Sequence, residues 1–208
     1  MRRPLPEVYD ESLRRAVELH SDDTSVTLRF SPCLVRLLND QHCRMISEVL
    51  QDVGSAWEIR TAQPDLYHHL PMGPGLYMFV WHPALRFAGA HTTNARSFPW
   101  VLYIGQAGGG SSNNTLRDRY KNEYSKLLNG DPGELFARDA PANRNERMQR
   151  YLRLRPLEYW WTEISKKSMI VPLEKKLVNL LQPPLNSQHN RGRLPVRKGK
   201  SSNAFQEM

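Results

Sequence analysis

The chain has 208 residues, with 29 Lys and Arg against 21 Asp and Glu, which gives a formal net charge of +8 at pH 7. Its two cysteines, Cys33 and Cys43, are too few for a four-cysteine zinc site. The basic excess favours a polyanionic partner, although charge alone does not identify one. No apolar run follows the N-terminal Met1-Arg2-Arg3-Pro4. We therefore expect no signal peptide, no membrane span and a cytoplasmic protein.

The first 68 residues are expected to form a mostly helical N-terminal region. Apolar residues recur at helical spacing over residues 8–19 and again over residues 34–53, and residues 24–30 alternate as a short strand would. This region suggests no function of its own.

The pattern changes after the turn-rich segment 71–75. Apolar and aromatic runs predict strands over residues 76–81 and 100–104. The polar stretch 82–99 lies between them and is predicted to be a loop. Two strands in succession favour an antiparallel hairpin with a long connection.

Two helices and a third strand are predicted next. Thr115 is a helix-capping residue before a helix over 116 to about 128, and a basic helix is expected over 142–154. Residues 157–164 read as a strand.

A last helix is expected after Ser168, with Pro172 in its first turn and with Pro183 and Pro184 ending it. Residues 191–208 are basic with little to bury, so a disordered tail is expected.

Five short motifs lie on these predicted elements in chain order. They are Gly75-Leu76-Tyr77, Tyr103-Ile104-Gly105, Leu116-Arg117-Asp118-Arg119-Tyr120, Glu174 and Pro184-Leu185-Asn186. Together they resemble the GIY-YIG nuclease superfamily, and within it the restriction or phage-defence type. The resemblance covers residues 75–190. It implies an α+β domain over residues 69–190, with a small three-stranded antiparallel sheet flanked by helices and preceded by the helical extension.

The chemistry of phosphodiester hydrolysis indicates a role for a carboxylate. The reaction needs an activated water, neutralised phosphate oxygens and help for the leaving alkoxide. A hard cation such as Mg²⁺ or Mn²⁺, held by one carboxylate and several waters, supplies much of this. Glu174 is the carboxylate we assign, and the resemblance implies the same role. The alternative is an exposed helix acid that pairs with Lys175 or Lys176.

Arg119 is the candidate for holding the scissile phosphate, because a guanidinium donates in a planar, bidentate way and stays charged. The alternative is a surface ion pair with Glu123, four residues further on. Arg117 is a rival and a candidate auxiliary residue. The L-x-x-R register of the family selects Arg119, and Arg117 is expected to contact nearby backbone.

Tyr77 and Tyr103 lie on adjacent predicted strands and can point into one cleft. A phenol has a pKa of about 10, so it acts as a base only where nearby cations lower that value. By resemblance Tyr103 is the candidate general base and Tyr77 positions the water or the phosphate. Two strand tyrosines packed in a sheet are the alternative. Asn186 is expected to orient Glu174, the leading edge of the site or Tyr77 by hydrogen bonding, or else to form an Asx-turn after Pro183-Pro184.

One position departs from the family pattern. Many members carry His or Tyr four residues after the arginine, whereas this chain has Glu123 there and Tyr124 next. Either Tyr124 takes that place, or Tyr103 acts alone. The long segment 82–99 is similar to the insertions with which restriction-type members grip DNA.

Arginines spaced three apart predict a phosphate-tracking helix face made by Arg144, Arg147, Arg150 and Arg153. Arg191 and Arg193 in the tail would add affinity without sequence information. A solvated helix face is the alternative.

Three functions compete. The first is a sequence-specific endonuclease that cuts both strands of DNA as a homodimer or in paired events. The second is a nuclease for repair, branched or single-stranded substrates, and the third is a non-catalytic DNA-binding module. The sequence has no P-loop, no Walker-type glycine pattern and no nucleophile elbow, which disfavours a transferase or a phosphatase.

Overall fold

A four-stranded antiparallel sheet lies at the centre of the part of the protein that the computed structural model describes. The described residues are 11–21, 57–83, 86–87, 96–97, 99–137, 141 and 143–186, with isolated positions between 41 and 51. The helices are α1 (Glu11–Leu19), α2 (Leu116–Glu123), α3 (Ser125–Leu128), α4 (Arg144–Tyr151) and α5 (Lys167–Leu181). The strands are β1 (Glu58–Thr61), β2 (Gly75–Trp81), β3 (Arg86–Phe87), β4 (Arg96–Ser97), β5 (Trp100–Ala107) and β6 (Leu157–Glu163). Short 3-10 helices span Leu66–His69 and Pro132–Phe136.

The sheet has the strand order β1-β6-β2-β5, so it contains four strands and not the expected three. The strand that sequence patterns missed is β1, which pairs with β6 at one edge. All four of its residues are exposed, and Ile59 is the one apolar residue among them. A strand this short gives only a weak period-2 hydrophobic signal. It joins the sheet although it precedes the boundary expected at residue 68.

The two faces of the sheet bury different kinds of side chain. Tyr77 and Phe79 of β2 point towards α2, α3 and α4, where an aromatic core forms. Their neighbours along the strand point the other way and pack against α5. Leu76, Met78, Val80 and Ile104 make up most of that second face. The central strand β2 is therefore buried on both sides, as the pattern of its burial shows.

The 82–99 connection contains a pair of short strands, one near each end, rather than only loop. Strands β3 and β4 pair antiparallel, with Arg86 opposite Ser97 and Phe87 opposite Arg96. Most of the remaining connection lies outside the described residues.

Capping and turn residues set the ends of the helices near the sheet. Thr115 caps α2 as expected, in a reciprocal capping box with Asp118. The helix predicted to reach residue 128 is interrupted at Tyr124, where α2 ends and α3 follows. Helix α5 begins at Lys167, so Pro172 lies inside it rather than in its first turn. Gln182 then takes a left-handed conformation and ends α5 before the two prolines.

The N-terminal helix α1 contacts the rest of the protein. Leu13 is buried in the aromatic core, and His20 stacks on Phe136 with ring centroids 4.6 Å apart. The strand predicted over residues 24–30 and the tail 191–208 lie outside the described residues, as does most of the helix predicted over 34–53. Within the described part of the chain, no helix combines the length and the apolar character that a bilayer crossing requires.

Candidate active site

Tyr77 sits at the centre of the sheet, directly opposite Gly105 on β5. Its ring covers Gly105 so closely that a Cβ on that residue would lie 2.4 Å from the Tyr77 hydroxyl oxygen. Such a contact is far inside van der Waals distance, so only glycine fits beneath the ring. The glycine that follows Tyr103-Ile104 therefore makes the space in which Tyr77 is held.

A chain of hydroxyl contacts starts from Tyr77. Its hydroxyl lies 2.7 Å from the hydroxyl of Tyr124, and the Arg119 Nε donates to it over a long 3.5 Å. The break between α2 and α3 at Tyr124 accompanies this arrangement. Tyr124 is fully buried, whereas Glu123 is half-exposed. Of the adjacent residues Glu123 and Tyr124, Tyr124 is the one whose side chain contacts Tyr77.

Burial raises the pKa of Tyr77 well above its ordinary value, and a negative charge on Tyr103 would raise it further. The positive charge of Arg119 and the hydrogen bonds from Tyr124 and Arg119 oppose this rise without cancelling it. Burial likewise raises the pKa of Tyr124. Both hydroxyls are therefore protonated at neutral pH and serve as neutral hydrogen-bonding groups.

Tyr103 meets a second arginine. The Nη2 of Arg144 donates to the Tyr103 hydroxyl at 2.8 Å, and its guanidinium lies 5.3 Å from the centre of the ring. Sequence patterns placed Arg144 only on a phosphate-tracking helix face. Its position beside Tyr103 comes from the packing of α4 against α3 and the 3-10 helix Pro132–Phe136, which no local spacing encodes.

Arg119 and Arg144 line one cleft between α2 and α4. The cleft has a volume of about 440 Å³ and its other lining residues are Asn122, Glu123, Tyr124, Leu127, Asn145 and Met148. The Nη1 of Arg119 forms an ion pair with Glu123, the surface pairing that the sequence offered as an alternative. The cleft thus places two guanidinium groups beside the hydroxyls of Tyr77 and Tyr103.

Glu174 lies on α5, on the other side of the sheet from the aromatic core, and is half-buried. Burial raises the pKa of its carboxyl group, while the positive charges of Arg119 and Lys175 oppose the rise. The charge of Arg119, on α2, therefore acts on Glu174 although the two side chains belong to helices on different faces of the sheet.

Glu174 suits a metal site that uses a single protein carboxylate. No group of three or more His, Cys, Asp and Glu side chains that could hold a metal occurs among the described residues. A zinc site of the usual kind needs such a group. Mg²⁺ commonly binds through one or two carboxylates, keeps several waters and contacts substrate phosphate. Glu174, a single half-buried carboxylate on which the charge of Arg119 acts, fits that mode.

Asn186 closes the free edge of β5. Its side-chain amide accepts from the Ile104 backbone N–H at 2.8 Å and donates to the Ile104 carbonyl at 2.6 Å. The next residue back, Leu185, donates its N–H to the Leu102 carbonyl. Asn186 therefore holds the strand that carries Tyr103 and Gly105. The side-chain hydrogen bonds described for Asn186 both go to Ile104, not to Glu174 or Tyr77.

Replacing Asn186 with Ala is expected to lower the free energy of unfolding by about 2–4 kcal/mol, because two buried backbone groups of Ile104 lose their partners. The exposed Asn114→Ala is the matched control and should change little. Urea unfolding measures the effect, and hydrogen exchange of the Ile104 amide locates it. Equal unfolding midpoints for the two variants would contradict this role.

The other arginines predicted to bind nucleic acid or to assist the site are Arg117, Arg147, Arg150, Arg153, Arg191 and Arg193. Arg117 donates from Nε to the Leu70 carbonyl, which is the backbone contact expected of it. The guanidinium of Arg150 donates hydrogen bonds to the carbonyls of Leu135 and Ala137.

Arg153 is only 3% exposed and pairs with Glu134, so it cannot belong to a phosphate-tracking surface, and this prediction was wrong. Arg147 is half-exposed, and Arg191 and Arg193 lie outside the described residues. Of the predicted arginine face, Arg144 is the residue that reaches the site.

Comparisons with known proteins add no assignment. No protein-family model, no curated protein and no solved structure matches this chain significantly.

Proposed function

We propose that this protein is a divalent-metal-dependent endonuclease of the GIY-YIG type that hydrolyses phosphodiester bonds in DNA. One observation supports the proposal most: Tyr77, Tyr103, Arg119 and Glu174 come from separate motifs, yet they interact. Arg119 donates to the Tyr77 hydroxyl, the rings of Tyr77 and Tyr103 lie 6.2 Å apart, and the charge of Arg119 acts on the carboxyl group of Glu174.

Arg119 is proposed to bind the scissile phosphate. Its Nε donates to the Tyr77 hydroxyl, and its side chain lines the cleft. Bidentate donation to phosphate oxygens is favourable for a guanidinium in that position. As negative charge builds on those oxygens, the fixed guanidinium stabilises it without reorganisation.

Tyr103 is proposed to act as its phenolate, whose oxygen accepts a proton from the attacking water and so becomes the neutral hydroxyl. The Arg144 guanidinium donates to its hydroxyl and would stabilise a phenolate formed there. Tyr77 has its hydroxyl already held by Tyr124 and stays neutral, so it positions water or phosphate by donating or accepting a hydrogen bond. Glu174 would hold Mg²⁺ or Mn²⁺, which when bound supplies charge neutralisation at the phosphate.

The substrate we propose is duplex DNA, cut at a specific sequence in the manner of restriction or phage-defence enzymes. The net charge of +8 supports a nucleic-acid partner. Cutting both strands with one site per chain requires a homodimer or two successive events.

A substrate panel tests the proposal. Plasmid, linear duplex, single-stranded DNA and RNA are incubated with the full chain in Mg²⁺, in Mn²⁺ or in excess chelator. We expect discrete fragments from duplex DNA with either metal and none with chelator. Full cleavage in chelator, or a covalent protein–DNA intermediate, would contradict a one-step metal-assisted hydrolysis. If only single-stranded DNA is cleaved, single-stranded DNA replaces duplex DNA as the proposed substrate.

A further inference from the structure

The cleft between α2 and α4 receives arginines from two separate helices. Arg119 enters from α2 and Arg144 from α4, and both line the same 440 Å³ space. Each guanidinium is fixed by a tyrosine hydroxyl, Arg119 on Tyr77 and Arg144 on Tyr103. Anchored arginines lose less conformational freedom when they bind an anion than free surface arginines do.

One carboxylate lies between these two cations. Glu123 forms the ion pair with Nη1 of Arg119, and its negative charge also stabilises the guanidinium of Arg144. The side chains of Arg119 and Glu123 are 29% and 34% exposed, so the pair is partly screened by water and can open. Two positive groups and one negative group leave the cleft with a surplus positive charge.

A carboxylate and a phosphate group present similar acceptor oxygens to a guanidinium. A phosphate group can therefore replace the Glu123 carboxylate as the ion-pair partner of Arg119. The asparagines at the cleft, Asn122 and Asn145, add neutral donors suited to phosphate oxygens.

We propose that this cleft is a two-arginine phosphate site in which Arg144 acts with Arg119, and that Glu123 is an internal competitor displaced when phosphate binds. The inference rests on the proposed function only for the source of the phosphate, which would be the backbone of nucleic acid. Glu123 weakens binding of isolated anions. A nucleic-acid strand brings several phosphates at once and overcomes this competition.

Phosphate binding is measurable without cleavage. Inorganic phosphate is titrated into the metal-free full chain while the Nε–H signals of Arg119 and Arg144 are followed by NMR. Arginine-to-lysine variants assign the two signals. Four proteins are compared: the wild type, Glu123→Gln, Arg144→Gln and the charge-matched control Glu58→Gln, whose position on β1 is at the opposite edge of the sheet.

We expect phosphate to shift both signals in the wild type. Glu123→Gln should tighten phosphate binding about tenfold relative to Glu58→Gln, because a charge-assisted competitor is removed. Arg144→Gln should weaken binding about tenfold and leave the Arg119 signal responsive. Amide spectra of each variant report whether the fold is retained.

Two results would overturn the inference. One is equal phosphate affinity of Glu123→Gln and Glu58→Gln, and the other is a titration in which neither arginine signal moves. Neither result depends on catalysis. If phosphate binds but DNA is not cleaved, the proposed nuclease function is contradicted and the phosphate site stands. If the protein cleaves DNA with metal but the Arg144 signal does not respond to phosphate, the two-arginine site is contradicted and the nuclease function stands.

Discussion

Raising the pH above about 10, the ordinary pKa of tyrosine, is expected to unfold this protein over a narrow range. Four tyrosines, Tyr77, Tyr120, Tyr124 and Tyr159, are fully buried in the aromatic core. Burial raises the pKa of each well above its ordinary value. In the unfolded chain the same phenols ionise normally, so the unfolded state releases protons that the folded state retains.

The sign of the effect follows from this difference in bound protons. Because the unfolded state binds fewer protons above the unfolded pKa, the free energy of unfolding falls as the pH rises. Each such tyrosine contributes roughly 1.4 kcal/mol per pH unit, and four together about 5 kcal/mol per unit. Domains of this size are stable by about 5–15 kcal/mol, so unfolding should come within about one to three pH units.

Urea unfolding from pH 7 upward, with tyrosinate absorption recorded in parallel, measures this dependence. Tyr159→Phe is an informative variant, because the Tyr159 hydroxyl has no hydrogen-bond partner among the described residues. It should unfold less steeply with pH, while Tyr67→Phe, at a half-exposed position, should match the wild type. Tyrosinate absorption that rises fully before any loss of structure would contradict the account.

Arg119→Met is expected to lower the cleavage rate by about 10²–10³-fold, the usual cost of removing one fixed donor to a developing negative charge. Arg119→Lys should fall between this variant and the wild type, since it keeps the charge but loses the planar fork. Single-turnover cleavage of duplex DNA is the measurement. Arg60→Met, exposed on β1, is the control for the lost positive charge. Equal rates for Arg119→Met and Arg60→Met would remove Arg119 from the site.

Much of the sheet could be predicted because its central strands carry strong local signals. The runs that become β2 and β6 are apolar and aromatic, and glycines and prolines mark their ends. The antiparallel pairing of β2 with β5, expected from two strands in succession, is also confirmed. By contrast β1 has four exposed residues with a single apolar one, Ile59, and its pairing with β6 makes it a strand.

Positions that depend on contacts distant in sequence could not be predicted. Nothing in the spacing of arginines separates the buried Arg153 from Arg144, which reaches the site. Arg153 fits its place because Gly130 leaves room, since a Cβ there would lie 1.6 Å from Nη2 of Arg153. The inward position of Tyr124 likewise depends on the break after α2, which accompanies packing against Tyr77 and Phe79. Local propensity would have continued that helix.

Glu174 is the residue on which the central claim depends most directly. Because burial raises the pKa of its carboxyl group, keeping it charged at neutral pH costs folding stability. Glu174→Gln should therefore be at least as stable as the wild type in urea. A loss of cleavage in this variant would then not be a loss of fold.

The decisive measurement compares plasmid cleavage by the wild type, Glu174→Gln and the control Glu58→Gln at the same Mg²⁺ concentration, with DNA binding measured alongside. We predict that Glu174→Gln binds DNA but cleaves it at least about a hundredfold more slowly, because the ligand for the charge-neutralising ion is lost. Glu58→Gln should cleave as the wild type does. Equal cleavage by all three proteins, or by none of them, would contradict a metal-dependent nuclease centred on Glu174.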